Sequence, residues 1–317
     1  MNIPTLHSEE DVVASLRACG SCWGRVPSTE QYHAWKPLIE AALGAPVVSK
    51  SALHEFATSP YRYKHGKRRE TPAMSFGQVV DALALTPEAF GREYYVLTEK
   101  LDRRTKAGKE AAAAAEQAAA GRALLQPEEY AAAQQAAACV STALAEHSIT
   151  MGESAEAQVA MFAYMTELFG EPLPCPLVVT GCLDILPHAG DALWDLKTTR
   201  EDVENAARLA RVCEDLAYGV QAALYRDLFA VCTGERREEF RFLFVSTLTK
   251  EDEAPAVQSR TLTMRNGTLM HYAQYYTRLL RAYAQAAQSG IWGSEHLPEV
   301  VYEPSKWEME KIYKDNE

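Results

Sequence analysis

Residues 177–200, LVVTGCLDILPHAGDALWDLKTTR, constrain the fold more than any other part of the chain. Two apolar runs, LVVTGCLDIL and ALWDLK, flank Pro187-His188-Ala189-Gly190-Asp191, whose Pro, Gly and Asp favour a turn, so the local expectation is a β-hairpin. Each run carries one carboxylate in apolar surroundings. Residues two apart in a strand share a face, so Asp195 and Lys197 point the same way, and the paired strand can bring Asp184 beside them.

That grouping has a chemical use. Two carboxylates at short range suit a hard divalent cation such as Mg²⁺, which bridges to phosphate oxygens. The lysine can orient or help deprotonate an attacking water and offset charge that builds on a phosphoryl group. By itself, however, a D-x-K tripeptide is more often an ordinary solvent-facing hairpin edge.

The following segment adds a second feature. Residues 216–229, LAYGVQAALYRDLF, have apolar positions at helical spacing and place Gln221 and Tyr225 at i and i+4 on one face. The ordered set is then GxxD at Gly181-Cys182-Leu183-Asp184, DxKTT at Asp195-Leu196-Lys197-Thr198-Thr199, and QxxxY from Gln221 to Tyr225. It resembles the PD-(D/E)xK nuclease superfamily in its RecB-like branch, and within that branch the RecE (exonuclease VIII) type of phage and prophage exonuclease. The phrases VVSKSALHEFATSPYRYK, MSFGQVVDALALTPEAFGREYYV, RRTKAGK and GRALLQPEEY carry the same resemblance, which spans residues 47–297.

The resemblance implies an α/β fold, a mixed central β-sheet flanked by helices. The expected division is a helical N-terminal extension over residues 1–46 and a nuclease domain over 47–317, with an Ala-rich helical insertion at about 101–148. It also implies Mg²⁺-dependent hydrolysis of DNA phosphodiesters by water, with Mn²⁺ as a substitute and no covalent intermediate. Asp184, Asp195 and Lys197 would carry the chemistry, and Gln221 and Tyr225 would position the lysine, the water or the substrate phosphate. In related nucleases an acidic residue just before the central hairpin completes the metal shell, and Glu156 matches it better than Glu153, a surface glutamate being the other reading. RecB-like enzymes commonly have a metal-binding histidine where this chain has Asp81, a departure that leaves Asp81 either a ligand or a solvent-side residue. The RecE type further implies action on double-stranded ends from the 5′ side, 3′ single strands handed to a phage annealing protein, and a ring-shaped homo-oligomer. An endonuclease or single-strand nuclease would use the same motifs, and a catalytically dead DNA-binding or assembly protein is the alternative outside enzymes.

Positive charge is outnumbered, 32 Lys and Arg against 43 Asp and Glu for a net charge of −11, while affinity for DNA comes largely from Lys and Arg neutralising phosphates. It is concentrated in two places. Arg62, Lys64, Lys67, Arg68 and Arg69 interleave with Tyr61, Tyr63 and His65, and Arg103, Arg104, Lys106 and Lys109 fall within seven residues. Both clusters are candidate DNA contacts, as is Thr198 in the DxKTT motif; a solvated basic loop is the bland reading of the first.

Other segments are read as scaffold. Helices are expected at residues 8–18 with Ser8 as cap, at 29–43, after Ser51, at 76–85, twice in the Ala-rich stretch with Gly121 ending one and Pro127 opening the next, and at 263–289. VAMFAYMTELF reads as strand or helix, and EFRFLFVSTL alternates as a strand. Trp23, Tyr32 and Trp35 read as packing residues, and Trp292, Trp307 and Tyr313 belong to a tail with no site. Seven scattered cysteines argue for reduced thiols, and Cys19/Cys22 lack the C-terminal cysteine group that a RecB-like metal cluster would need. No apolar run reaches the roughly 18 residues of a membrane span, and the polar start does not resemble a signal peptide, so a cytoplasmic location is expected.

Overall fold

A computed structural model describes residues 3–67, 72–101, 104–247 and 257–294. The chain opens with α1 (Glu9–Cys19), β1 (Ser21–Arg25) and α2 (Thr29–Leu43). Next come β2 (Val47–Ser49), α3 (Lys50–Thr58), α4 (Pro60–His65), α5 (Pro72–Leu85), α6 (Pro87–Glu93) and β3 (Tyr94–Val96). The Ala-rich part supplies α7 (Lys106–Ala119), β4 (Ala123–Leu125) and α8 (Pro127–Glu146). Two long strands, β5 (Ala155–Leu168) and β6 (Glu171–Pro187), lead to β7 (Ala192–Thr199), α9 (Ala206–Asp215), α10 (Tyr218–Thr233), β8 (Glu239–Ser246), β9 (Gln258–Arg265) and α11 (Asn266–Ser289).

The central sheet runs β1-β5-β6-β7-β8-β9, with β2 added in parallel to β6. Most neighbours are antiparallel, but β7 and β8 are parallel over their whole length, so the sheet is mixed. A parallel pair requires a crossover, and α9 with α10 provides it. The expected hairpin over residues 177–200 forms as β6–β7. VAMFAYMTELF is strand rather than helix: β5 turns into β6 through Phe169 and Gly170, both at positive φ, the pairing a tight two-residue hairpin turn demands.

Both faces of the sheet are covered. On one face α10 and α11 pack Leu224, Phe229, Leu269 and Leu280 against Leu183, Leu193, Phe240, Phe242 and Phe244. On the other, α5 and α8 pack Val79, Val80, Ala133, Ala136 and Val140 against Ile185, Trp194, Leu196 and Val245. The Ala-rich helix α8 therefore does not stand apart from the sheet: its small side chains let it lie close on it. The N-terminal stretch is likewise stitched in, since β1 pairs along β5 and α2 buries Tyr32, Trp35 and Ile39 against Phe162 and Val178.

Helix starts follow their caps. Ser8, Ser28 and Ser59 accept from the backbone of Asp11, Gln31 and Arg62, and Ser59 also ends α3 before Pro60 opens α4. The cap of α3 is Ser49, not the expected Ser51: β2 carries the chain straight to Ser49 beside β6, and its hydroxyl accepts from Ala52 N. Residues 263–265 belong to strand β9 instead of the expected long helix. β9 is an edge strand in which only Met264 is buried, so QSRTLTMR lacks the apolar alternation that marks a strand in sequence. No helix among the described residues is long and apolar enough to cross a membrane.

Candidate active site

A cavity of about 1900 Å³ opens where α2, α3, α5 and α10 meet the β6–β7 hairpin. The antiparallel register that sets Ile185 against Trp194 sets Asp184 against Asp195 one residue further along. Leu196 N donates to Asp184 Oδ2 at 3.0 Å, which ties the two strands together at the carboxylates. Asp195 is buried at 1% exposure. Its Oδ1 accepts from Gln221 Nε2 at 2.5 Å, and its Oδ2 forms an ion pair with Lys197 Nζ. Asp184, Asp195, Lys197, Gln221 and Tyr225, named from the motifs, all line this one cavity.

The GxxD glycine has a steric reason. A Cβ at Gly181 would sit 2.6 Å from Cε1 and 2.8 Å from Cδ1 of Tyr225. The Tyr225 ring lies against the strand at that point, which lets α10 approach closely enough for Gln221, one turn earlier, to reach Asp195. Gly77 on α5 is similarly placed, since a Cβ there would meet Thr198 Oγ1 at 3.1 Å.

The electrostatics are those of acids held together in a dry place. Burial first, then the charge of Asp195, push the Asp184 carboxyl well above the usual range, with Lys197 opposing. Asp81, on α5, also lines the cavity; burial raises it to about 7, the Lys197 charge pulling it down and Asp195 pushing it up. Burial by itself would lower Lys197, but Asp195 and then Asp184 outweigh it and hold the ammonium charged. Asp81 is half-buried and lines the same cavity as Asp184 and Asp195.

Asp81 gives a pH-dependent expectation. An aspartate ionises near pH ~4 in an unfolded chain and at about 7 here. Between those values the unfolded chain releases its proton first, so stability falls as pH rises and the loss is complete above 7. Asp81→Asn should raise the Tm of the metal-free protein above wild type at pH 8, with the gap closing towards pH 4. Thermal unfolding in EDTA across that range checks it, and a gap that does not change with pH would count against the placement.

Other expected residues lie elsewhere. Glu156 does not join this group: it sits on β5 opposite Leu186, paired to Arg25 at 3.3 Å and to His188 at 3.5 Å, two residues along the strand from Gln158, which does line the cavity. Neither Glu156 nor its partners Arg25 and His188 are among the residues lining the cavity. Arg62 and Lys64 are exposed on α4, which reaches the cavity through Tyr63, and Lys64 Nζ lies 5.1 Å from the Trp292 ring. Lys67 is exposed just beyond α4, while Arg104 and Lys106 are exposed at the start of α7. Arg68, Arg69 and Arg103 lie outside the described residues, as do Trp307 and Tyr313.

Two further groups enter the site. Lys50, the first residue of α3, lines the cavity and donates to Leu216 O at 2.5 Å. Burial, then the Lys197 charge, lower it to about 8. The Tyr218 ring centroid lies 5.1 Å from both Lys50 Nζ and Lys197 Nζ. No spacing in the sequence links these residues, which come from α3, α10 and β7.

The donor chemistry fits a hard divalent cation. Among the described residues no three His, Cys, Asp or Glu side chains converge as a complete cage. Mg²⁺, however, is ordinarily bound by one or two carboxylates together with substrate phosphate and water. Asp184 and Asp195, adjacent and lining one cavity, offer that partial shell, and a cation would counter both the burial and the Asp195 charge that raise Asp184.

No curated protein matches the sequence. Among solved structures, a candidate exonuclease from Eubacterium rectale superposes with a TM-score of 0.51 at 14% identity, covering 88% of this chain and 96% of that one. A phage-related exonuclease from Haemophilus somnus 129PT covers 78% of this chain and 98% of its own at 13% identity, with a TM-score of 0.35. At that identity the first likeness is one of fold, and the second superposition is too loose to carry weight. The sequence profile of one family spans residues 48–294 and so takes in the hairpin, α5 and α10: the chain belongs to the PDDEXK-like domain of unknown function DUF3799.

Proposed function

We propose that the chain is a divalent-metal-dependent nuclease that hydrolyses DNA phosphodiesters. The observation that carries this reading is the meeting of Asp184, Asp195 and Lys197 on one cavity wall, with Gln221 bonded to Asp195. Asp184 and Asp195, with Asp81 nearby, would hold Mg²⁺ or Mn²⁺, which supplies Lewis acidity towards the phosphoryl oxygen and lowers the pKa of a bound water. Lys197 stays protonated between the two aspartates and offsets negative charge developing on the phosphoryl group. Gln221 fixes the rotamer of Asp195, and Tyr225 fills the space beside Gly181 and keeps α10 seated. With Glu156 paired to Arg25 and His188, Asp81 is the stronger candidate for the remaining protein ligand.

Within that reading, the RecE-like motif set supports an exonuclease that enters double-stranded ends from the 5′ side and leaves 3′ single strands for an annealing protein, working as a ring-shaped oligomer in the cytoplasm. Digestion of end-labelled duplex, circular duplex and single strand, each with Mg²⁺ or EDTA, tests it. Loss of label from linear duplex alone, only in Mg²⁺, is the expected result. Cleavage of the circle would mark an endonuclease and no cleavage at all a DNA-binding protein. Sedimentation with duplex present checks the ring, and a monomer there would remove it.

The exposed basic residues of α4 and of the start of α7 are proposed to hold the DNA outside the cavity. Neutralising Arg62, Lys64 and Lys67 together should weaken binding and flatten its log–log salt dependence by about one unit for each phosphate no longer neutralised. An unchanged slope in this variant and in Arg104→Ala/Lys106→Ala would place the DNA elsewhere.

A further inference from the structure

We infer that helix α2, which precedes the family-matched residues, is a wall of the substrate channel and that Lys36 on it contacts a nucleic-acid phosphate; the identity of the ligand rests on the nuclease reading above. The chemistry-bearing motifs lie entirely between residues 81 and 225, yet Thr29, Tyr32, His33, Lys36, Pro37 and Glu40 line the same cavity as Asp184 and Asp195. This helix is not loosely laid over the opening. Tyr32 is 3% exposed, and its hydroxyl meets Thr180 Oγ1 at 3.1 Å, one residue before the GxxD glycine. Trp35 and Ile39 are buried on the same face, against Phe162 and Val178 of the sheet.

Lys36 projects from this anchored frame. Its Nζ lies 4.2 Å from the Tyr32 ring centroid and 3.1 Å from His33 Nδ1, so the ammonium is positioned over the cavity edge by two aromatic neighbours. Cys182, two residues before Asp184 on β6, lines the same cavity as Lys36. Physical need agrees with this placement. The carboxylates Asp81, Asp184 and Asp195 repel a polyanion, and Lys197 with a metal would offset that at the scissile phosphate. The flanking phosphates require cations on the walls, and a lysine held against aromatic rings acts as a point charge with less side-chain freedom to lose on binding. The arrangement assigns Lys36 to binding and strand placement, leaving the bond-breaking step to the β6–β7 hairpin.

The test compares wild type, Lys36→Ala and Lys36→Arg. Binding of a fluorescein-labelled duplex with a single-stranded tail is measured by anisotropy with Ca²⁺ in place of Mg²⁺, over a range of salt, and cleavage of the same DNA is measured in Mg²⁺. Lys36→Ala should bind several-fold more weakly, show a log–log salt slope shallower by about one unit, and have a raised KM with kcat within about twofold. Lys36→Arg should restore both slope and KM. A salt slope in Lys36→Ala that overlays wild type overturns the inference, whether or not activity changes, and leaves the nuclease reading standing. Wild type that binds with the expected slope but does not cut would instead overturn the nuclease reading while the contact at Lys36 stands. Wild type that does not bind the DNA overturns both.

Discussion

Asp195→Asn is expected to cut DNA cleavage by at least about 10²-fold while leaving the fold intact. The substitution is nearly isosteric, and the new amide oxygen can still accept from Gln221 Nε2, so the geometry set by that bond survives. What disappears is the negative charge that would hold a metal and that keeps Lys197 protonated in a buried position. Lys197→Ala should abolish cleavage to a similar degree, but it should also destabilise the protein by about 3 kcal/mol, because it leaves the Asp195 carboxylate, 1% exposed, without its cation. The double variant Asp195→Asn/Lys197→Ala should recover much of that stability with no gain in activity. Single-turnover cleavage of labelled duplex, run beside thermal unfolding, separates the two effects. Near-wild-type turnover in Asp195→Asn, with contaminating nuclease excluded, would remove the hairpin from the chemistry.

The second large effect is expected at a glycine. Gly181→Val must put a branched side chain where even a Cβ would lie 2.6 Å from the Tyr225 ring. That ring cannot swing clear: Tyr225 is buried, with the Phe240 ring edge-on at 6.4 Å. The helix has to lift or the strand has to bend, and overpacking of this kind costs about 1–3 kcal/mol. Because Gln221 lies one turn from Tyr225, lifting α10 also breaks the bond to Asp195, so activity should fall about tenfold or more even where the protein remains folded. Tyr225→Leu in the same chain should give back stability by making room, and little activity. A Gly181→Val protein with wild-type Tm and kcat would show that the strand and helix do not approach as closely as they do here.

Much of this site is legible in the sequence. A turn-forming pentapeptide between two apolar runs is a local signal, and the two-residue period of a strand puts Asp195 and Lys197 on one face. The helical repeat sets Gln221 and Tyr225 one turn apart, and both stand on α10 and line the cavity beside the hairpin. Such readings succeed because they depend on neighbours in sequence. Glu156 shows where they stop: its strand is marked in sequence only by an apolar segment, and its partners, Arg25 and His188, come from β1 and from the hairpin turn. The edge strand β9 is hidden for a related reason, since an exposed strand lacks the apolar alternation by which strands are recognised.

What the sequence by itself determined is the local chemistry: the hairpin, the acids and lysine on it, the helix that follows, the capped start of α1, and the helical state of the Ala-rich stretch. Only the tertiary structure decided which side of α5 carries Asp81, that Lys50 and Lys197 share the Tyr218 ring, that α8 is part of the core, and that α2 walls the cavity. The physical reason is range. Backbone dihedrals, caps and side-chain periodicity act over one to four residues, so they are written along the chain. Burial, charge coupling and steric contact such as that of Gly181 with Tyr225 act through space between segments tens to more than a hundred residues apart, and come into being only when the sheet brings those segments together.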